Sequence, residues 1–215
     1  MSVRIAKAGP AQAEQGLVLL HGRGGGAEDI LGLGQSLGIA GLALAAPQHP
    51  QRSWWPTSFL APSAALAPHL AAGLDAVEAG ISALEENGIP RDRIALAGFS
   101  QGACLALEYS ARRGGIRAVF GLSGALVGTA DAEGAPEEAL YGHIEKRFDY
   151  GTDLSGLPVI IELHAADPHI PLDRAERSAD VFLALGAAPH LHVLPGAGHG
   201  LGPNGPTAMR ALLNS

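Results

Sequence analysis

Short apolar runs alternate along the chain with longer stretches in which apolar residues recur every three or four positions. Residues 17–20, Leu17-Val18-Leu19-Leu20, form an unbroken apolar run of strand length. Residues 27–37 then read as a helix whose first turn carries Glu28 and Asp29, acids suited to its positive end. The next strand is predicted at 41–46, stopped by Pro47. A long helix is predicted over 64–87, with Leu66, Leu70, Leu74, Val77, Ile81 and Leu84 on one stripe and Asn87-Gly88 as its stop. The alternation continues with a strand at 94–98, a helix at 103–113, and strands at 115–122 and 159–163. A helix at 172–185, a strand at 190–194 and a helix at 207–213 complete it. Such β–α alternation predicts an α/β protein: a mostly parallel central sheet with helices on both faces.

Two segments interrupt the pattern. Residues 47–62 form a loop holding Trp54, Trp55, Pro56 and Phe59. Residues 129–156 are polar and glycine-spaced, with room for a short helix at 135–146. Loops this long in a compact domain are usually functional. With 215 residues and no evident linker, the chain reads as one domain, 1–215, carrying these two insertions.

Composition narrows the partners. The chain is 47% hydrophobic, enough for a large core, and its formal net charge of -7 argues against nucleic acid or anionic membrane as the main partner. Cys104 is the only cysteine, which excludes an intrachain disulfide and favours a reducing compartment. Neither a secretory leader nor a run of about 18 apolar residues is evident. A cytoplasmic protein without stable membrane insertion is expected.

The chemistry centres on Gly98-Phe99-Ser100-Gln101-Gly102, between the strand at 94–98 and the helix at 103–113. A G-x-S-x-G between strand and helix is a nucleophile elbow. The turn is so sharp that positions 98 and 102 have no room for a Cβ, and the helix N-terminus points amides at a developing oxyanion. A serine hydroxyl needs a base. In the doubly wound hydrolase arrangement the order is serine, acid, histidine. Asp167 follows the strand at 159–163, and His199 lies in a glycine-flanked loop after the strand at 190–194. Asp167 alone also reads as a turn or cap residue, and His199 alone as an ordinary loop residue. Their joint order favours Ser100, Asp167 and His199 as catalytic residues. Asp173 is a reserve acid, while His164 and His169 lie too close to Asp167 to complete the order.

The glycine-rich Leu20-His21-Gly22-Arg23-Gly24-Gly25-Gly26 is the expected oxyanion loop, donating the Arg23 amide beside that of Gln101. It fits no phosphate-binding fingerprint. Trp54, Trp55 and Phe59 gather both tryptophans of the chain within six positions. They read either as a small satellite core or as the wall of an apolar substrate pocket, and the pocket is the expectation. Cys104 is expected to pack rather than react. His190 and His192 have no cysteine or carboxylate partner, so no metal is expected.

Taken together, Leu20-His21-Gly22-Arg23-Gly24, Trp54-Trp55-Pro56, Gly98-Phe99-Ser100-Gln101-Gly102, Asp167-Pro168-His169-Ile170-Pro171 and Gly198-His199 resemble the phospholipase/carboxylesterase family of α/β-hydrolases. This group includes bacterial carboxylesterases and acyl-protein thioesterases. The resemblance implies the α/β-hydrolase fold and a Ser100, Asp167, His199 triad. It implies oxyanion donation from Arg23 and Gln101, and cofactor-free hydrolysis of carboxylic esters, with some members pairing as homodimers. The chain departs from the family pattern at Ala165, where another acid is frequent, in the length of 129–156, and in the short Gly/Pro-rich tail after His199. A short- to medium-chain carboxylesterase is therefore expected. Alternatives are an acyl-protein thioesterase or lysophospholipase, a non-catalytic binding module on the same fold, and a lyase or transferase using the same triad.

Overall fold

The computed structural model describes residues 3–131 and 144–214. Along the chain run β1 (Arg4–Ala8), β2 (Gln15–Leu20), α1 (Ala27–Ser36), β3 (Leu42–Gln48), α2 (Ser63–Glu85), β4 (Ile94–Phe99) and α3 (Gln101–Arg113). They are followed by β5 (Val119–Leu122), β6 (Pro158–Ala166), α4 (Leu172–Ala184), β7 (Ala188–Ala197) and α5 (Asn204–Leu213). The seven strands form one sheet in the order β1-β3-β2-β4-β5-β6-β7. β1 is antiparallel to β3, and the other neighbours are parallel. This is the α/β-hydrolase type of sheet.

Apolar side chains alternate across it. Val18 and Leu20 pack with α2, α3 and α4 on one face, and Leu17 and Leu19 pack with α1 and α5 on the other. Both faces are covered, so the central strands read as continuous apolar runs rather than alternating ones. After β2 the chain adds β3 on one side, then crosses to add β4 on the other. The switch opens a crevice at the carboxyl ends of β2 and β4, where ligands bind in open α/β sheets.

The structure departs from the sequence reading at β1, β3, β5 and α5. β1 was not foreseen, because Arg4-Ile5-Ala6-Lys7-Ala8 is short and only half-buried. Pro47 does not stop β3. It lies beyond the pairing with β2 and faces only Ile5 of β1, so its missing amide costs little. The strand expected at 115–122 shortens to β5, because Gly114 and Gly115 turn the chain at positive φ. The final helix begins at Asn204, three residues earlier than its apolar pattern indicates.

The two insertions meet. Pro62 bridges Thr129, and the Gly128 amide donates to the Phe59 carbonyl at 2.6 Å. The helix expected at 135–146 falls mostly outside the described residues, and 144–146 are not helical. Among the described residues, no helix is long and apolar enough to cross a membrane.

Candidate active site

Ser100 stands between β4 and α3 at φ 55° and ψ -120°. For a non-glycine residue this conformation costs about 1–3 kcal/mol and persists only when its surroundings over-determine it. Here the Ser100 amide donates to Leu122 O at 2.9 Å, and its carbonyl accepts from the Cys104 amide at 3.0 Å. The flanking glycines are a steric necessity. A Cβ on Gly98 would lie 2.2 Å from Gly102 O, and one on Gly102 would lie 2.1 Å from Leu20 O.

The loops after β6 and β7 bring Asp167 and His199 to this serine. His199 Nε2 lies 2.8 Å from Ser100 Oγ. His199 Nδ1 lies 2.8 Å and 3.0 Å from the two carboxylate oxygens of Asp167. Because the carboxylate only accepts, Nδ1 carries the proton, and Nε2 is left to accept from the serine hydroxyl. The Asp167 side chain has no exposed surface, whereas that of His199 keeps 17%. Asp167 Oδ1 also accepts the amides of His169 and Ile170 at 2.8 and 3.0 Å. Both sequence readings of Asp167, turn residue and histidine partner, therefore hold at once. Asp173 is exposed and, among the described residues, accepts from Arg174 N. His164 packs its ring against Gly198, and His169 stands edge-on to His199 with ring centres 4.7 Å apart.

The His199 loop rests on residues that went unnoticed in the sequence. Glu162, 1% exposed on β6, accepts the amides of Gly202 and Gly205 at 2.9 Å each. Ser123 donates its hydroxyl to Gly200 O at 3.1 Å. An acid inside the apolar run Val159-Ile160-Ile161-Glu162-Leu163 was the available signal, since a buried charge requires dedicated partners.

A cavity of about 420 Å³ opens beside Ser100. Trp55, Phe59, Phe99, Cys104 and Ile170 supply its apolar side, and Gly22, Arg23, Gln101, His169 and His199 its polar side. Trp54 is not part of the lining, which corrects the expectation that it binds substrate. It is 1% exposed, stacks on His21 at 4.7 Å and donates its indole N–H to His21 O at 2.8 Å. The satellite-core reading describes Trp54, and the pocket reading describes Trp55 and Phe59.

His21 stabilises the turn into the glycine loop. Its Nδ1 lies 2.8 Å from Gly22 O, and its Nε2 accepts from the His49 amide at 3.3 Å. Burial pushes its pKa below the usual imidazole value. Burial also pushes the Cys104 thiol up to about 12, so it stays protonated. Gln101 heads α3, where an amide has no intrahelical acceptor, and Gly22 passes so near Ser100 that a Cβ on it would be 3.4 Å from the serine Cβ. An imidazole within reach of a strained hydroxyl, backed by a buried carboxylate and facing a mostly apolar cavity, can generate an alkoxide-like nucleophile.

Known proteins resemble this chain in sequence and in fold. The profile of the Phospholipase/Carboxylesterase family matches residues 44–214. The chain is 34% identical to a phospholipase/carboxylesterase from Dyadobacter fermentans, over all of this chain and 97% of that one, with a TM-score of 0.83. Esterase PE8 shares 24% identity over 100% of this chain and 99% of its own, with a TM-score of 0.76. A carboxylesterase from Mesorhizobium loti shares the fold at 19% identity, over 99% and 94% of the two chains, with a TM-score of 0.70. No curated protein is significantly similar in sequence.

Proposed function

The chain belongs to the phospholipase/carboxylesterase family of ester hydrolases, and we propose that it is a serine carboxylesterase acting on short- to medium-chain acyl esters. The observation that carries this reading is the continuous relay Ser100 Oγ, His199 Nε2, His199 Nδ1, Asp167, with both junctions at 2.8 Å. In the proposed sequence, His199 Nε2 takes the hydroxyl proton as Ser100 Oγ attacks the ester carbonyl. The amides of Arg23 and Gln101 receive the oxyanion, each contributing about 2.7–4 kcal/mol to the transition state. His199 returns its proton to the departing alcohol and leaves an acyl-Ser100. Water, deprotonated by the same imidazole, then releases the acid. Each proton is carried by Ser100, His199 or water, so the steps call on no cofactor.

The acyl group is assigned to the apolar side of the cavity. A volume of about 420 Å³ is at the small end of ligand sites and favours short or medium chains. All catalytic groups stand on one sheet, which supports treating 1–215 as a single catalytic domain. A thioester would use the same groups, so the decisive assay pairs p-nitrophenyl esters from acetate to palmitate with a matched thioester. Wild type is expected to prefer the esters from acetate through hexanoate over palmitate and to be labelled by a fluorophosphonate at Ser100. Ser100→Ala is expected to lose labelling and at least about 10⁴ in kcat. Full activity in that variant rejects the mechanism.

A further inference from the structure

The two residues assigned to the oxyanion hole each extend a side chain to the acyl wall. Gln101 Oε1 accepts the Trp54 amide at 2.8 Å, and Gln101 Nε2 donates to Trp55 O at 2.8 Å. The Ser53 hydroxyl lies 3.3 Å from the same Oε1. Two backbone partners of opposite character fix the orientation of the carboxamide. Arg23 donates from Nη1 to Pro56 O at 3.0 Å and from Nη2 to Thr57 O. Consecutive residues 53–57 are thus tied to Gln101 and Arg23.

The Trp54 indole, which donates to His21 O, and the Gly24 amide, which donates to Arg52 O, anchor the same loop. The indole N–H of Trp55 is buried without a partner among the described residues, although Trp55 is only 1% exposed.

We propose that the side chain of Gln101 is a positioning residue that, with that of Arg23, yokes the acyl wall to the oxyanion hole, so that an acyl chain filling the cavity raises turnover as well as affinity. The inference rests on the catalytic reading above. The backbone amide of each residue serves the oxyanion while its side chain grips the wall that Trp55 belongs to. Contact of the acyl chain with Trp55 and Phe59 then bears on the same two residues whose amides must be aligned. Binding energy from a non-reacting part of the substrate is in this way realised at the reacting centre.

The test is Gln101→Met, which keeps the backbone amide and nearly the side-chain volume but removes the clamp. Two readouts are taken. The first is kcat and KM for p-nitrophenyl acetate and hexanoate. The second is acrylamide quenching of tryptophan fluorescence, which reports this loop alone because the chain has 2 tryptophans, both within it. The expected result is a fall of roughly ten-fold in the hexanoate-to-acetate kcat ratio, with a smaller change in the KM ratio. Quenching should rise by about three-fold as the loop opens. If Gln101→Met does not fold, Arg23→Ala replaces an exposed side chain of the same clamp and is read identically. A wild-type kcat ratio in an active variant overturns the yoke, even if quenching rises, because the clamp is then only structural. Unchanged quenching overturns it regardless of activity. Wild-type protein that neither hydrolyses any ester nor reacts with a fluorophosphonate overturns the catalytic reading itself, and this inference with it.

Discussion

Asp167 accepts hydrogen bonds from His199 and from two loop amides with one fully buried carboxylate. These two duties can be separated. Asp167→Asn keeps an oxygen for the His169 and Ile170 amides but cannot hold His199 in the same tautomer. Its kcat is expected to fall by about 10⁴, with a thermal midpoint near that of wild type. A midpoint collapse with proportionate activity loss would make Asp167 a structural residue only. Cys104 supplies a second residue-level expectation. It borders the cavity, but burial raises its thiol to about 12. Iodoacetamide at pH 8 should leave the native protein unmodified and alkylate Cys104 once urea unfolds it. Rapid native alkylation would show that the cavity floor is open. The types of these residues were legible in the sequence, because hydroxyl, imidazole and carboxylate have few substitutes. Their second partners were not, because an amide two or three positions along the chain leaves no compositional mark.

Among elements, the turn from β4 to α3 is the most constrained. Gly102→Ala would drive a Cβ to 2.1 Å from a carbonyl oxygen of β2, a backbone atom that cannot rotate aside. The expected outcome is a loss of at least about 3 kcal/mol in urea denaturation, or insoluble protein. A soluble variant of wild-type midpoint would contradict the packing described. The β7–α5 loop depends on Glu162 in a different way. Glu162→Gln places an amide group where two backbone N–H donors converge, so one donor loses its acceptor at a cost of about 1–3 kcal/mol. Because that loop carries His199, kcat should fall while KM stays within about two-fold. A change confined to KM would separate the loop from the chemistry. Helices were legible from their three- and four-residue periodicity. β1 and the extension of β3 through Pro47 were not, since each depends on what lies at the neighbouring edge.

Over the whole molecule, burial of His21 couples stability to pH. It lies where β2, the glycine loop and the aromatic loop meet, and desolvation lowers its pKa from 6.5. His49 beside it is lowered as well, also chiefly by burial. The unfolded chain therefore binds a proton at a higher pH than the folded one. The stabilisation is complete above about pH 6.5 and is lost as pH falls through the lower folded-state value. Thermal midpoints at pH 7.5, 6.5 and 5.5 should decline, and the decline should be smaller in His21→Asn. Identical declines in both proteins would assign the effect to other groups.

The β–α alternation, the sharp elbow at Ser100, and the order in which hydroxyl, carboxylate and imidazole appear were all legible along the chain. These are local or ordinal properties, fixed by hydrophobic period, by the room a Cβ needs and by the chemistry of single side chains. It took the folded arrangement to separate Trp54, which supports the loop, from Trp55 and Phe59, which face the cavity. That arrangement alone placed the buried acid Glu162 beneath the His199 loop, and it alone tied the side chains of Gln101 and Arg23 to residues 53–57. Those contacts join segments tens of residues apart. The twist and order of the sheet bring them together, and no periodicity along the chain encodes that distance.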